Sequence, residues 1–141
     1  MNNEGTAEST SAIQSTSPGK LVWAGISLIV VVGFIHLLEA LEELEEVTYL
    51  GLLFLANSGG AIAAAIGIYR NYGWGWSLGA LVAGGAFVGY VISRTTGLPG
   101  MPVEEWLEPL GVLSLLVEAL FVGLCLVYLR TSYRGGKNSS S

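Results

Sequence analysis

Four long apolar segments, separated by short polar stretches, dominate the pattern of the chain. They span about residues 21–41, 47–69, 74–93 and 106–129. Each is close to or above the roughly 20 residues that a helix needs to cross about 30 Å of hydrocarbon. None alternates apolar and polar residues with the period of two that membrane barrel strands show. The pattern therefore predicts an all-α fold, a bundle of four transmembrane helices.

Composition places the chain in the membrane class. Hydrophobic residues make up 52% of the 141 positions and charged residues 12%, whereas soluble domains carry about 25% charged residues. The first apolar segment is longer than the ~7–15 residues of a signal-peptide core and no small-residue cleavage site follows it, which favours a retained anchor. We expect disordered polar tails at 1–19 and 132–141 around a transmembrane domain at 20–131.

The basic residues predict an orientation. Five of the six Lys and Arg residues flank segment ends that would share one side of the membrane, and only Arg94 lies on the other side. By the positive-inside rule both termini are then cytoplasmic in a multi-pass protein of the cell membrane. The net charge of −5 belongs mainly to glutamates on the outer surface, so it indicates no nucleic-acid partner. The aromatic anchors expected at the cytoplasmic interface are Trp23, Tyr69, Tyr72, Trp74, Trp76 and Tyr128.

Small residues recur at four-residue spacing in the second and third segments. The positions are Gly59, Ala63 and Gly67, followed by Gly85 and Gly89 in a GxxxG pattern. Such faces let two membrane helices approach closely, so we expect them to be helix contacts. Short loops favour contacts within one chain. Beside the lipid bilayer, the alternative partners are another membrane protein or a second copy of the chain.

The loop between the third and fourth segments, residues 94–108, has the features of an ordered cap. Pro99 and Gly100 suit the two central positions of a β-turn, because Pro presets φ and Gly accepts a positive φ. Pro109 suits the first turn of the fourth helix.

The end of the first helix is ambiguous in the sequence. His36, Glu39, Glu43 and Glu46 form one stripe if the helix continues through them. Alternatively, Glu45 and Glu46 begin the second helix, where the helix dipole favours acidic residues.

Each apolar segment also carries one strongly polar side chain toward the glutamate-rich side. A rise of ~1.5 Å per residue places His36 ~9 Å from Glu42, Asn57 ~15 Å from Val47 and Glu118 ~13 Å from Pro109. Arg94 ends the third segment. A charge at the bilayer centre costs about 2.5–3.5 kcal/mol on insertion scales, so Glu118 needs a partner, a proton or a function. With Glu39, three residues after His36, these residues form a candidate ligand or proton pocket.

Each of these residues also has a purely structural interpretation. His36 and Asn57 suit interhelical hydrogen bonds, Glu118 suits a neutral bonded carboxyl, and Arg94 suits pairing with acids of the loop. As ligands, His36, Glu39 and Glu118 are candidates for one metal ion, and His36 alone for haem, so the sequence specifies no particular cofactor. One histidine is too few for a di-iron centre. The common catalytic motifs are absent from the sequence, so an enzyme is the third interpretation.

Four short strings resemble a known group of proteins. They are His36-Leu37, the run GLLFL at 51–55, the run SRTTGLP at 93–99, and Glu118. Small uncharacterised four-helix membrane proteins of bacteria are similar in an HL in the first helix, an SRTxGLP after the third and a Glu in the fourth. The resemblance covers about residues 21–129. It implies the four-helix topology and one site containing His36, Arg94 and Glu118, and it implies no particular activity.

Our first interpretation is an outward-facing polar pocket that binds a small ligand, a metal ion or a proton. Glu118 would be the buried carboxylate, His36 its ligand or proton partner, and Arg94 the charge that tunes Glu118 from the rim. The glutamate-rich loop would raise the local cation concentration. The alternative is a non-catalytic scaffold or accessory subunit of a larger membrane complex, docked through the small-residue faces.

Overall fold

The computed structural model describes residues 18–137, and within them it contains four α-helices and no strand. The helices are α1 (Pro18–Glu46), α2 (Thr48–Tyr69), α3 (Gly73–Thr95) and α4 (Pro109–Lys137). All four are long and apolar enough to cross a membrane. The predicted all-α architecture of four helices, each able to cross a membrane by its length and composition, is confirmed.

Three helices are longer than the hydrophobic pattern predicted, α3 only slightly and α1 and α4 by more. Helix α1 continues to Glu46, so Glu45 and Glu46 belong to α1 rather than to α2. Helix α4 begins at Pro109 instead of Trp106 and continues to Lys137, so residues 132–137 are helical where we predicted a disordered tail. Hydrophobicity identifies only the part of a helix that suits lipid. The helix itself continues past that part, because each further residue adds a backbone hydrogen bond. Helix α1 begins at Pro18, inside the predicted tail 1–19. The other residues of the two predicted tails, 1–17 and 138–141, lie outside the described residues.

The four helices run alternately up and down and close into a ring. Each packs against the next along the chain, and α4 packs against α1, so α1 and α3 lie diagonally across the bundle. Ile29, Val32, Ile68 and Phe121 are fully buried in the core. Many large apolar side chains instead point outward, among them Leu81 with 71% of its surface exposed. An apolar outer surface around a small packed core suits a lipid environment.

The first two of the three helix connections are tight. Val47 alone separates α1 from α2, and a Cβ added to Gly51 would lie 2.7 Å from the backbone of α1, so this corner requires glycine. Between α2 and α3, Asn71 has φ +59° and the Tyr72 N–H donates to the Gly67 carbonyl at 2.8 Å. This is a Schellman cap with Asn in the left-handed position. The short connections enforce antiparallel neighbours.

The α3–α4 loop is an ordered cap, and the predicted turn is confirmed. The Met101 N–H donates to the Leu98 carbonyl at 2.9 Å, and Gly100 has φ +82°. The Tyr49 hydroxyl of α2 donates to the Pro99 carbonyl at 2.7 Å. The loop therefore crosses the bundle and contacts α2 beside the α1–α2 corner. We call this end of the molecule, with the loop 96–108 and the last turns of α1, the glutamate end.

The closest approach of α2 and α3 uses glycines only partly anticipated by the spacing. A Cβ added to Gly75 would lie 2.5 Å from the Ile68 nitrogen, and one added to Gly60 would lie 2.8 Å from the Val82 side chain. Gly67 is in contact, as predicted. An added Cβ would meet nothing within 4 Å at three other predicted positions, Gly59, Gly85 and Gly89. The GxxxG of α3 is thus not a helix contact within residues 18–137, because α2 and α3 diverge before they reach it.

Trp76 lies in the core rather than at a membrane interface. Only 4% of its surface is exposed, and its ring stacks on Tyr128 at 4.4 Å between centroids. A Cβ on Gly25 would lie 2.6 Å from the indole. By contrast, Trp23 and Tyr69 are more than half exposed, as expected of interface anchors.

Candidate functional site

A cavity of about 290 Å³ lies between the helices at the glutamate end. The five candidate residues all line it: His36 and Glu39 from α1, Asn57 from α2, Arg94 from α3 and Glu118 from α4. Antiparallel packing explains the convergence, because residues near the end of one helix meet residues near the start of the next.

His36 lies between two carboxylates. Its Nδ1 is 2.8 Å from Oε2 of Glu39, and its Nε2 is 3.1 Å from Oε1 of Glu118. His36 and Glu118 are both buried, with 3% and 2% of their surfaces exposed, whereas Glu39 is more open at 17%. We call these three residues the triad. It links the buried carboxylate of α4 through the imidazole to a carboxylate nearer the glutamate end.

The two contacts of His36 require two shared protons. With both glutamates ionised, the imidazole donates from both nitrogens and is an imidazolium. With a neutral imidazole, one nitrogen donates and the other accepts from a protonated glutamate. Both arrangements carry one net negative charge, so a proton moves between His36 and a glutamate without changing the total charge of the triad. Such a group is chemically suited to passing protons.

Ser114 supports Glu118 from the same helix. Its hydroxyl donates to Oε1 of Glu118 at 2.8 Å, and only 4% of Ser114 is exposed. A buried carboxylate is destabilising unless it is hydrogen-bonded, and this oxygen has two neighbours able to supply that bond. Ser114 was not among the predicted site residues, although a serine four residues before a membrane glutamate shares its helix face.

The imidazole of His36 is also held by stacking. The Phe54 ring of α2 lies nearly parallel to it, with 5.6 Å between centroids and 13° between planes. Phe54 was not among the candidates, and its position three residues before Asn57 on α2 was the available signal. Stacking and two hydrogen bonds together define the orientation of the imidazole.

Arg94 is buried, and its guanidinium hydrogen-bonds several groups of the α3–α4 loop. Its guanidinium donates to Glu104, to Glu108 at 2.5 Å, and to the Glu105 carbonyl at 3.0 Å. It also donates to the Ser93 hydroxyl at 2.7 Å and lies over the Tyr90 ring at 4.2 Å. The fork of guanidinium donors suits several acceptors at once.

These contacts correspond to the loop-pairing interpretation of Arg94. The hydrogen bonds of Glu118 come from His36 and Ser114, and those of Arg94 go to Ser93 and the loop. Arg94 and Glu118 therefore line the same cavity without a hydrogen bond between them. The SRTTGLP run now has a local structural explanation, since Ser93 and Arg94 bond the loop, Gly97 has φ +77° and Pro99 occupies the turn.

Negative charge dominates the cavity lining. Six carboxylates line it, those of Glu39, Glu42, Glu43, Glu104, Glu108 and Glu118. Two basic side chains, Arg94 and His36, face them. Even with His36 protonated, carboxylates outnumber cations. One buried oxygen, Oε2 of Glu43, has no hydrogen-bond partner among the described residues.

The proposed metal ligands do not converge in this arrangement. Glu39 and Glu118 contact opposite nitrogens of the imidazole, so the ring separates the two carboxylates. Within residues 18–137 no group of three His, Cys, Asp or Glu side chains is arranged to hold a metal ion. Asn57 lines the same cavity and is half-buried. Its amide is a neutral polar group in a lining otherwise rich in charge.

No protein-family model, curated protein or solved structure matches the chain. The functional assignment consequently depends on the geometry of the cavity.

Proposed function

We propose that this four-helix membrane protein binds cations in the cavity at its glutamate end, with the triad as its proton-exchanging centre. The observation that carries the proposal is the position of His36, buried and bonded on both ring nitrogens to carboxylates of unequal exposure. Intramembrane ionisable groups that are paired and face a cavity are typical of ion and proton pathways.

In this proposal, Glu118 is the buried proton acceptor and Glu39 exchanges protons with the more open part of the cavity. A proton arriving at Glu39 reaches Nδ1 of His36, while the proton on Nε2 passes to Glu118. The reverse sequence returns it. Ser114 stabilises the ionised form of Glu118, and Phe54 keeps the ring in line with both acids. Each step moves a proton along a hydrogen bond that already exists.

The proposed placement in the cell follows from charge. With both termini in the cytoplasm, Lys20, Arg70 and Arg130 lie on the inner side and the glutamate end faces outward, in accord with the positive-inside rule. The cavity then opens toward the outside of the cell membrane. The excess of carboxylates there attracts cations and repels anions.

The resemblance to small bacterial four-helix membrane proteins belongs to the same proposal. It groups His36, Arg94 and Glu118 in one site, and these side chains share the cavity.

Infrared difference spectroscopy tests the proton exchange. The protein in lipid nanodiscs is titrated from neutral to acid pH, and the C=O stretching band of protonated carboxyls is recorded. We expect one band at higher frequency than that of water-exposed glutamates, because Glu118 is 2% exposed. Glu118→Gln should remove this band and His36→Gln should shift it.

Glu45→Gln is the matched control, because Glu45 lies exposed on the glutamate end of α1 and does not line the cavity. It should leave the band unchanged. The proposal is wrong if the natural protein shows no such band, or if Glu118→Gln and Glu45→Gln give the same spectrum.

The alternative function is a scaffold or accessory subunit. The observation that favours it is Gly59, which is exposed on α2 and would have nothing within 4 Å of an added Cβ. Exposed glycines give a second membrane helix room to approach. A stoichiometric partner that co-purifies with the natural protein and is lost with Gly59→Leu would support this role.

A further inference from the structure

We infer that the ligand of this cavity is a membrane-dissolved organic cation, an amine or quaternary ammonium carried on an apolar group, which enters between α2 and α3. The inference rests on the proposed function, because it names the class of cation that the same cavity takes.

The first step is the gap between the two helices. Two facing stripes recur every seven residues, with Leu53, Gly60 and Gly67 on α2 and Gly75, Val82 and Gly89 on α3. Seven residues are about two helical turns, so the stripes meet at three levels. At the first, a Cβ on Gly67 would lie 2.8 Å from the Cα of Gly75, and at the second, Gly60 meets Val82. At the third, Leu53 is 59% exposed and a Cβ on Gly89 would meet nothing within 4 Å.

The open third level belongs to the cavity. Leu53, Gly85 and Gly89 all line it, and Gly85 is exposed. Leu53 lies about 8 Å from the first residue of a helix about 33 Å long. Across a hydrocarbon core of about 30 Å, that depth lies among the acyl chains, a few ångström below the headgroups. A molecule dissolved in the bilayer therefore reaches the cavity sideways, without crossing the loop that caps it.

The second step is size. The cavity volume of about 290 Å³ is close to the lower end of the roughly 300–1,000 Å³ found for small-molecule pockets. A proton or a single metal ion needs far less space. The cavity thus has room for the proton of the triad and for a small organic group beside it.

The third step is the chemistry of the lining. Arg94 pairs with Glu104 and Glu108, and His36 contacts Glu39 and Glu118. The two remaining carboxylates of the lining are those of Glu42 and Glu43. Of these, Glu43 has a buried oxygen without a hydrogen-bond partner among the described residues. A positively charged group complements this oxygen, whereas an anion would be repelled.

Apolar and aromatic side chains complete the lining. Leu50, Leu53, Phe54 and Ala86 line the cavity together with the carboxylates. Aliphatic side chains suit an apolar ligand body, and an aromatic ring also attracts an ammonium group. The site therefore suits a cationic head beside an apolar body better than a hydrated inorganic cation.

Equilibrium binding to the protein in phosphatidylcholine nanodiscs tests the inference, with empty discs subtracted. The probe is radiolabelled decyltrimethylammonium. The comparison probes are tetramethylammonium, which has the same head without a chain, and decyl sulfate, which has the same chain with an anionic head. We expect saturable binding of decyltrimethylammonium with an apparent Kd at least about tenfold below that of tetramethylammonium, because each buried CH₂ adds about 0.8 kcal/mol. Decyl sulfate should not compete.

Two variants and a matched control locate the site and the entrance. Gly89→Leu fills the gap and should weaken decyltrimethylammonium binding by about tenfold while leaving tetramethylammonium unchanged. Glu43→Gln should weaken both cations. Gly84→Leu, on the same helix, outside the cavity lining and equally free of neighbours within 4 Å, should change neither.

The outcomes separate this inference from the proposed function. If decyltrimethylammonium does not bind saturably, or if decyl sulfate competes as well, the ligand class is wrong while the infrared band of Glu118 still supports proton exchange. If both ammonium probes bind equally and Gly89→Leu has no effect, the apolar chain does not occupy the gap between α2 and α3, and the inferred lateral opening is wrong. If the infrared band is absent, the proposed function fails independently.

Discussion

Replacing Arg94 by methionine should be the most destabilising change of a charged residue at the glutamate end. The arginine makes four side-chain hydrogen bonds, to Ser93, Glu104, Glu108 and the Glu105 carbonyl. Methionine fills similar space without a charge. The variant would leave two carboxylates beside a cavity that already holds an excess of negative charge.

The magnitude follows from the exposure of the partners. Removing one member of a fully buried ion pair costs about 3–5 kcal/mol. The Arg94 side chain is 5% exposed, but Glu104 is 29% and Glu108 is 55% exposed, so water replaces part of what the guanidinium provides. We therefore expect Arg94→Met to lower the free energy of unfolding by about 2–3 kcal/mol. Arg94→Lys keeps the charge and loses the fork of donors, so about two hydrogen bonds and about 1–2 kcal/mol are lost.

The assay is unfolding by SDS in mixed micelles, followed by far-ultraviolet circular dichroism and tryptophan fluorescence. Arg70→Met is the matched control, because Arg70 is exposed at the α2–α3 hairpin, and its effect should stay within about 0.5 kcal/mol. This prediction is wrong if Arg94→Met unfolds at the same SDS fraction as the natural protein. It is also refuted if the lysine variant is as unstable as the methionine variant, since the charge would then contribute nothing.

Two further predictions concern helix packing and metal binding. Gly75→Ala should lower the free energy of unfolding by about 1–3 kcal/mol in the same SDS titration, because the added Cβ would lie 2.5 Å from the α2 backbone. Gly84→Ala is the control and should raise the free energy of unfolding by about 0.5–1 kcal/mol. Equal effects of the two substitutions would contradict the α2–α3 contact. Equilibrium dialysis should show equal zinc binding to the natural protein and to His36→Gln, because both ring nitrogens of His36 are already hydrogen-bonded to carboxylates. Stoichiometric zinc binding by the natural protein that disappears in the variant would contradict this geometry.

Local sequence signals anticipated much of the fold. The hydrophobic segments located the four helices, and Pro99 and Gly100 located a turn whose geometry depends on those two residues. These features follow from neighbouring residues alone, since apolar length and backbone φ preferences act over short distances. The same signals misplaced the helix ends, because α1 and α4 continue as helices beyond their apolar parts.

The GxxxG of α3 shows where local reasoning ends. The spacing of Gly85 and Gly89 indicates a face of small residues, but it contains no information about whether another helix covers that face. The contact of Gly60 with Val82 and that of Gly67 with Gly75 bring α2 and α3 together at the hairpin. Beyond Val82 the two helices diverge. Gly85 and Gly89, whose spacing favours a helix contact, therefore line a cavity instead.

The sequence by itself determined four helices that are long and apolar enough to cross a membrane. It also placed five polar residues in the half of the bundle nearer the glutamate end, namely His36, Glu39, Asn57, Arg94 and Glu118. Depth follows from counting residues along a helix of constant rise. Only the tertiary structure decided the partners: Glu118 with His36 and Ser114, Arg94 with the loop acids, and Phe54 against the imidazole. Partners depend on the rotation and tilt of each helix, which are set by packing among all four helices at once and cannot be obtained from any one segment.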